Sequence, residues 1–131
     1  RLMVRGCAGV VTDGGFRDSP EIAKLSIPAY HQRPSAPTNL TLHQAIDINV
    51  PIGCGDVAVW PGDVVVGDSE GVIVIPAGIA DEVAAEAVEM TAFEDFVQEK
   101  VLEGRSILGL YPPTDEQSRV DFAAWRQAKG R

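Results

Sequence analysis

The stretch that decides the predicted fold is AGVVTDGGFRDSPE, residues 8–21. Residues 8–13 form a nearly continuous apolar run, which is typical of a short buried strand. Gly14 and Gly15 interrupt that run. The SPE sequence at residues 19–21 is typical of a helix start, because proline fits the first turn and a carboxylate favours the positive end. The stretch therefore predicts a strand, a loop and a short helix, and α/β folds bind ligands at such junctions.

Downstream of this junction, short runs rich in β-branched residues alternate with turns of Gly, Pro and Asp. This close spacing is typical of an antiparallel sheet or a small barrel. We expect residues 52–55, IGCG, to form one of the turns. The predicted strands are residues 27–32, 40–50, 57–60, 64–66 and 72–75.

The apolar pattern takes the period of a helix over residues 79–103, and Gly104 ends it. A second helix is predicted at about residues 115–129, because Thr114 and Gln117 match a capping box. Strands followed by helices predict an α/β fold with a short-stranded sheet or barrel core and flanking helices. Steps of three and four residues place one stripe on the first helix: Val83, Ala87, Met90, Glu94, Val97 and Val101.

Composition excludes several classes of partner. The 131 residues carry a formal net charge of −8 and no basic run, which argues against a nucleic-acid partner. No stretch approaches the roughly 20 consecutive apolar residues of a membrane helix, so no membrane partner is expected. Two cysteines, Cys7 and Cys54, cannot form a disulfide framework, so we expect a reduced, cytoplasmic protein.

The first six residues, RLMVRG, resemble the last turn of a helix closed by Gly6. They contain no initiator methionine and no signal-peptide pattern. We therefore expect the chain to be incomplete at its N-terminal side, with part of the domain missing.

Arg17 and Asp18 are the first candidate site residues. A guanidinium beside a carboxylate on a glycine-rich loop can bind an anionic substrate and a hard cation together. Magnesium suits this arrangement, since it is held by one or two carboxylates, several waters and the substrate. The alternative is that Asp18 caps the following helix while Arg17 is solvated.

Glu94 is the second candidate, because it lies in the middle of the apolar stripe. An unpaired buried carboxylate costs several kcal/mol, so Glu94 must meet a partner, water, a metal shell or another subunit's polar site. The alternative is that solvent interrupts the stripe. His31 and His43 are isolated and more typical of packed or hydrogen-bonded histidines than of metal ligands, and Cys54 has no identifiable base nearby.

Several segments resemble the RraA-like family, which includes the 4-hydroxy-4-methyl-2-oxoglutarate aldolases and the RNase E regulator RraA. Residues 5–18, RGCAGVVTDGGFRD, resemble its R-G-x-x-G-x-V-x-D-G-x-x-R-D stretch. VPIGCG at residues 50–55, WPGDVVVGD at 60–68 and GVIVIP at 71–76 resemble its V-P-x-x-x-G, P-G-D-x-x-x-x-D and G-V-x-x-x-P succession. Order and spacing agree over residues 1 to about 104, and we expect residues 105–131 to be a C-terminal extension.

The resemblance implies an α/β/β fold of the swivelling-domain type, assembled as a homotrimer or hexamer with active sites between subunits. It implies a divalent metal, magnesium or manganese, held by Asp18. Arg17 matches the arginine that contacts the substrate. Glu94 matches the glutamate that reaches into the neighbouring subunit's site in the aldolases.

The resemblance has one departure. The aldolase signature has an aspartate twenty-one positions before the arginine of the pair, whereas sixteen residues precede Arg17 here. The predicted function is metal-dependent retro-aldol cleavage of a 4-hydroxy-2-oxo acid to pyruvate, with oxaloacetate decarboxylation through the same enolate. The alternative is a non-enzymatic regulator whose acidic surface binds a ribonuclease.

Overall fold

The structure is a computed structural model that describes residues 1–38 and 43–131. It divides into two compact units, Arg1–Gly78 and Ile79–Arg131, which we call the strand unit and the helical unit. The mixed α/β class is confirmed, and the described strands form separate pairs and no closed barrel. The elements are β1 (Val10–Phe16), α1 (Ser19–Ile22), β2 (Ala29–Pro34), β3 (Ile52–Cys54), β4 (Val57–Val59), β5 (Val64–Gly67), β6 (Val72–Ile75), α2 (Ala80–Leu102) and α3 (Glu116–Lys129).

The predicted strand–loop–helix junction is confirmed. Strand β1 pairs in parallel with β2, from Val10 opposite Ala29 to Phe16 opposite Pro34, and α1 lies in the connection between them. Gly15 allows the two strands to approach closely, because a Cβ at that position would stand 2.5 Å from the Cβ of Ser35. The glycine-rich end of β1 is therefore a packing requirement of this junction.

The remaining strands form two antiparallel hairpins, β3 with β4 and β5 with β6. The prediction of a turn over residues 52–55 is wrong in part, because Ile52–Cys54 pairs with Val57–Val59 and the turn lies one step further on. Gly55 and Asp56 make that turn, both with positive φ. A short hairpin needs such left-handed residues in its loop.

The predicted strand over residues 40–50 is wrong for residues 43–50, and residues 39–42 lie outside the described chain. The alternating pattern there is misleading, because polar residues at its exposed positions favour turns. Asp47 accepts a hydrogen bond from the N–H of Ile48 at 2.8 Å, and Asn49 has a φ of 58°. A left-handed residue cannot continue a strand.

The core of the molecule lies in the helical unit. Phe96, Val97, Leu110 and Trp125 form a buried cluster, and Phe93 and Phe122 pack against it. Edge-to-face, tilted and stacked ring pairs, 5.1–6.2 Å between centroids, connect these aromatic side chains of α2 and α3. The fixed geometry of such ring pairs adds to their apolar burial.

The buried face of α2 differs from the predicted stripe. Of the stripe residues only Val97 is buried, whereas Met90 is 56% exposed and Glu94 is exposed. The aromatic side chains Phe93 and Phe96 turn toward α3 instead. Rings bury more apolar surface than alanine or valine, so they determine which face of the helix packs.

Arg105 joins the segment after α2 to α3. Its Nη1 donates to Asp121 at 2.7 Å and its Nη2 to the hydroxyl of Ser118 at 2.8 Å. Asp115 caps α3 by accepting the N–H of Ser118 at 2.5 Å. The helix is confirmed, but the predicted cap at Thr114 is wrong by one residue. The extended backbone of Asp115 brings its carboxylate to the third helical N–H.

No helix among the described residues is long and apolar enough to span a membrane. The predicted division at residue 104, between a family domain and an extension, stays a prediction.

Candidate active site

Arg17 and Asp18 connect the end of β1 to the start of α1. The backbone carbonyl of Asp18 accepts the N–H groups of Glu21 and Ile22, each at 3.0 Å, and so begins the helix. The carboxylate of Asp18 makes no capping hydrogen bond to that helix. The alternative interpretation of Asp18 as a side-chain cap is therefore wrong, and its carboxylate is left for another use.

The backbone of Asp18 adopts the left-handed conformation, with φ 60° and ψ 33°. Aspartate adopts this conformation more readily than most residues with a Cβ, as Asp56 does in the β3–β4 turn. At Asp18 it turns the chain from β1 into α1 and leaves the carboxylate exposed, without a contact that caps the helix.

Both side chains are accessible. The side chains of Arg17 and Asp18 are 56% and 69% exposed, and Nε of Arg17 lies 3.9 Å from Oδ1 of Asp18. An exposed ion pair at this distance stabilises a protein little. The two groups are thus close enough to act on one ligand, and the ion pair between them is weak.

The carboxylate of Asp18 is a ligand of the type that magnesium uses in proteins. Among residues 1–38 and 43–131, no group of three or more His, Cys, Asp or Glu side chains could hold a metal ion. Magnesium is bound through one or two carboxylates and keeps water and substrate oxygens as its other ligands. One free carboxylate beside a guanidinium matches that requirement.

Glu94 lies on α2 in the helical unit, whereas Arg17 and Asp18 lie in the strand unit. Glu94 is exposed, and within the described part of the chain it makes no hydrogen bond or ion pair. Arg17 and Asp18, which are consecutive in the sequence, therefore lie at one junction, and Glu94 lies in the other unit. A meeting of Glu94 with such a pair across a subunit boundary stays a prediction.

The histidines and Cys54 form no cluster of metal ligands among the described residues. The ring of His31 stacks on Phe16, with 4.9 Å between centroids, and His43 is exposed. Cys54 is a half-buried free thiol. None of these residues belongs to a metal-binding group among the described residues.

Sequence reasoning missed one cavity of the strand unit. It has a volume of about 600 Å³, and its walls are mainly valine and isoleucine, with Thr12, Asp13, His31 and Cys54 among them. Asp13 accepts the N–H of Gly55 at 3.2 Å, so its carboxylate fixes the β3–β4 turn. The approach of that turn to β1 joins residues 42 positions apart, and no local pattern signals it.

Comparison with known proteins identifies the family. The family model described as RraA-like, Aldolase/RraA, matches residues 1–74. A putative 4-hydroxy-4-methyl-2-oxoglutarate aldolase of Halalkalibacterium halodurans is 36% identical over 97 residues, which cover 74% of this chain and 45% of that protein. An uncharacterized protein of Methanocaldococcus jannaschii is 35% identical over 106 residues, covering 79% and 50%.

Comparison with solved structures supports the same family. RraAS2 of Streptomyces coelicolor, described as an unusual member of the RNase ES inhibitor RraA protein family, is 31% identical with a TM-score of 0.59, covering 74% of this chain and 50% of that one. An uncharacterized protein of Pseudomonas syringae pv. tomato shares the fold, with a TM-score of 0.78 at 24% identity, covering 84% and 55%. The chain spans about half the length of the curated relatives it matches. With the matched motifs running through both the Arg17–Asp18 junction and the hairpins, the chain belongs to the RraA-like family.

Proposed function

We propose that the protein is a divalent-metal-dependent lyase that cleaves a 4-hydroxy-2-oxo acid and releases pyruvate. The observation that carries this proposal is the free carboxylate of Asp18, presented from a left-handed backbone beside Arg17. The relative named as a putative 4-hydroxy-4-methyl-2-oxoglutarate aldolase supports the same reaction class. Decarboxylation of oxaloacetate is a second reaction that the same groups would serve.

Asp18 would hold magnesium or manganese in this proposal. Such an ion, when bound, supplies a Lewis acid that polarises a carbonyl oxygen. Arg17 offers a planar fork of N–H donors that matches a carboxylate, so it would bind and orient the 2-oxo acid. Its charge would also stabilise the negative charge that develops on the keto oxygen, which is electrostatic catalysis.

Retro-aldol cleavage breaks the bond between C3 and C4, and the electron pair of that bond moves to the pyruvyl half. The proton of the C4 hydroxyl must pass to a base. We propose that Glu94 of a neighbouring subunit takes part in this transfer, directly or through a water. Its exposed carboxylate is free of partners among the described residues, as that role requires. The assembly would be a homotrimer or a hexamer, in the cytoplasm.

The test is pyruvate release by full-length protein from a panel of 4-hydroxy-2-oxo acids, with magnesium and with EDTA. In Asp18→Asn we expect activity and calorimetric magnesium binding to be lost, because the charge is removed. The fold should persist, because asparagine tolerates left-handed backbone. Asp56→Asn is the matched control, since Asp56 is also exposed and has a φ of 64°. Unchanged magnesium affinity in Asp18→Asn removes Asp18 from the site.

Mixing of inactive subunits tests the position of Glu94. We expect Asp18→Asn and Glu94→Gln subunits, refolded together, to regain part of the activity, because a mixed oligomer contains some sites with both residues intact. Native mass spectrometry shows whether hetero-oligomers have formed. No recovery in proven hetero-oligomers places Glu94 in the same subunit's site as Asp18 or outside it.

A second candidate function is regulation of a ribonuclease without catalysis. The likeness to RraAS2 and the net charge of −8 favour it, because an acidic surface attracts a basic partner. This function predicts that the protein binds a ribonuclease both in the presence of EDTA and with the Asp18→Asn change. It also predicts that no acid in the panel releases pyruvate. Pyruvate release that depends on Asp18 favours the lyase instead.

A further inference from the structure

Strand β1 contains one residue more than its partner strand requires, directly before the candidate active-site pair. The pairing runs from Thr12 opposite His31 to Gly15 opposite Arg33, so three steps along β1 match two steps along β2. Such a β-bulge bends its strand and re-aims the side chains near it, and bulges are common next to active sites. The register at this bulge therefore decides how the chain leaves β1 toward the pair.

The glycines of the bulge leave that register open. A Cβ on Gly15 would stand 2.5 Å from the Cβ of Ser35 and 3.0 Å from the carbonyl oxygen of Arg33, so the place opposite Arg33 requires glycine. Gly14 meets the same requirement, and an unbroken ladder would bring it there. Glycine-rich strands specify their register weakly. The packing of β1 on β2 thus admits two registers, one bulged and one regular.

The regular register would misplace the active-site pair. Each residue after the bulge would move by one position along β2, which is about 3.3 Å. A shift of one residue also turns each side chain to the opposite face of a strand. Arg17 and Asp18 would then leave β1 from a different place, and a misplacement of about 1 Å can already cost about a hundredfold in rate.

Two side chains of the bulge accept backbone N–H groups. The hydroxyl of Thr12 accepts the N–H of Gly14 at 3.0 Å, which is a local contact within β1. Oδ2 of Asp13 accepts the N–H of Gly55 at 3.2 Å. Because Gly55 lies in the β3–β4 turn, this second bond ties the bulge to a point outside β1 and β2.

We propose that Asp13 is a positioning residue that selects the bulged register of β1 and so places Arg17 and Asp18 for the reaction. It acts through its hydrogen bond to Gly55, and the role needs no contact with substrate or metal. The effect on rate rests on the proposed lyase function, whereas the choice of register does not. The bond requires an acceptor oxygen and not a negative charge, so asparagine should replace Asp13 and alanine should not.

The register is measured on the full chain by nuclear magnetic resonance, without metal or substrate. Nuclear Overhauser effects should connect Arg33 with Gly15 in the unchanged protein and in Asp13→Asn. In Asp13→Ala we expect effects between Arg33 and Gly14 to appear, because the tie to Gly55 is lost. A ladder in Asp13→Ala that keeps Gly15 alone opposite Arg33 overturns the proposal.

A second substitution tests the choice between two registers directly. Gly14→Ala should block the regular register, because its Cβ would then meet Ser35 as a Cβ on Gly15 would. In the bulged register a Cβ on Gly14 meets the hydroxyl of Thr12 at 3.2 Å, which a small shift of that hydroxyl relieves. Added to Asp13→Ala, Gly14→Ala should therefore restore the bulged register. Failure to restore it contradicts the two-register model.

Pyruvate release shows whether the register matters to the reaction. We expect kcat/KM to fall about tenfold or more in Asp13→Ala, to be kept in Asp13→Asn, and to recover when Gly14→Ala is added to Asp13→Ala. The matched control is Asp68→Ala, since Asp68 also accepts backbone N–H groups, from Glu70 at 2.8 Å and Gly71 at 3.1 Å, but within its own turn. It should leave both the register and kcat/KM unchanged.

Three kinetic results would overturn the positioning role: equal losses in the alanine and asparagine variants of Asp13, no recovery in the double variant, or a similar loss in Asp68→Ala. A simple loss of stability predicts no recovery from a further substitution at Gly14. If the unchanged protein releases no pyruvate, the proposed function fails, and the Overhauser effects still decide whether Asp13 selects the register.

Discussion

The two units of this chain differ in where their apolar side chains lie. In the helical unit Ala92, Phe96, Val97, Leu110 and Trp125 are buried, and Phe96 has no exposed surface. In the strand unit none of the residues 1–38 and 43–78 is buried. Large side chains there stay open, including Val65 at 46% and Ile73 at 58% exposure.

The difference follows from geometry. Two packed helices can enclose a row of aromatic rings between them. A two-stranded sheet has two faces to cover, so an isolated hairpin is at best marginally stable. The three strand pairs among the described residues therefore depend on packing beyond their own hydrogen bonds, and residues of all three line one cavity.

The buried core and the candidate active-site pair therefore lie in different parts of the chain. Arg17 and Asp18 lie in the unit without a buried core, at a junction fixed by Gly15 and by backbone hydrogen bonds. The core lies in the unit that carries Glu94. Substitutions in the two units should thus affect different measurements.

The largest effect on stability is expected for Phe96→Ala. Removal of a fully buried ring should lower the free energy of unfolding by about 3–5 kcal/mol. Val65→Ala in the strand unit should cost less than about 1 kcal/mol, because that side chain is half exposed and leaves no cavity. Urea unfolding of the full chain, followed by circular dichroism, measures both. Similar losses of unfolding free energy in the two variants would contradict the proposed difference in stability between the two units.

Arg17→Lys tests the same difference between the two units through its effect on activity. If Arg17 binds the 2-oxo acid as proposed, kcat/KM for pyruvate release should fall about 100-fold, because lysine lacks the planar fork. The urea midpoint should stay the same, since Arg17 is exposed and makes one weak ion pair. Arg33→Lys is the control, because Arg33 lies in the exposed end of β2. A fall in kcat/KM of less than about threefold corresponds to under 1 kcal/mol of transition-state stabilisation. Such a result would show that Arg17 does not bind the 2-oxo acid as proposed.

The smallest effect is an acid sensitivity confined to the helical unit. Hydrogen bonds from Gln117 and Arg105 lower the pKa of Asp121, and those from Ser118 lower the pKa of Asp115. A carboxylate whose pKa is lower in the folded state binds fewer protons there than in the unfolded chain. Its contribution to stability is therefore present above the ordinary aspartate pKa of about 3.9 and is lost as pH falls below it.

Urea midpoints measured from neutral pH down to about pH 3 test this sensitivity. Asp121→Asn should lower the midpoint at neutral pH and flatten its fall in acid, because the titrating group is gone. Asp81→Asn removes an exposed carboxylate from the first turn of α2 and should leave the profile as it is. A profile for Asp121→Asn parallel to that of the unchanged protein contradicts the assignment.

Sequence alone determined the elements whose signals are local. The glycines and proline around Arg17 and Asp18 marked the β1–α1 junction, because glycine permits backbone conformations that interrupt a strand and proline fixes φ at a value that suits the first helical turn. Five of the six described strands and both long helices overlap the positions that periodicity and turn residues predicted. The family motifs run through these same elements, so family and candidate pair could be predicted together.

Tertiary structure decided what depends on partners far along the chain. The buried face of α2 could not be read from its own period, because Phe122 and Trp125 of α3 select Phe93 and Phe96 over the valine and alanine stripe. The strand β3 exists only through its pairing with β4. The left-handed backbone of Asp18, and with it the freedom of its carboxylate, arises where β1 must turn into α1 while β2 packs alongside. Local sequence limits each residue to a few conformations, and the energy of packing distant segments together chooses among them.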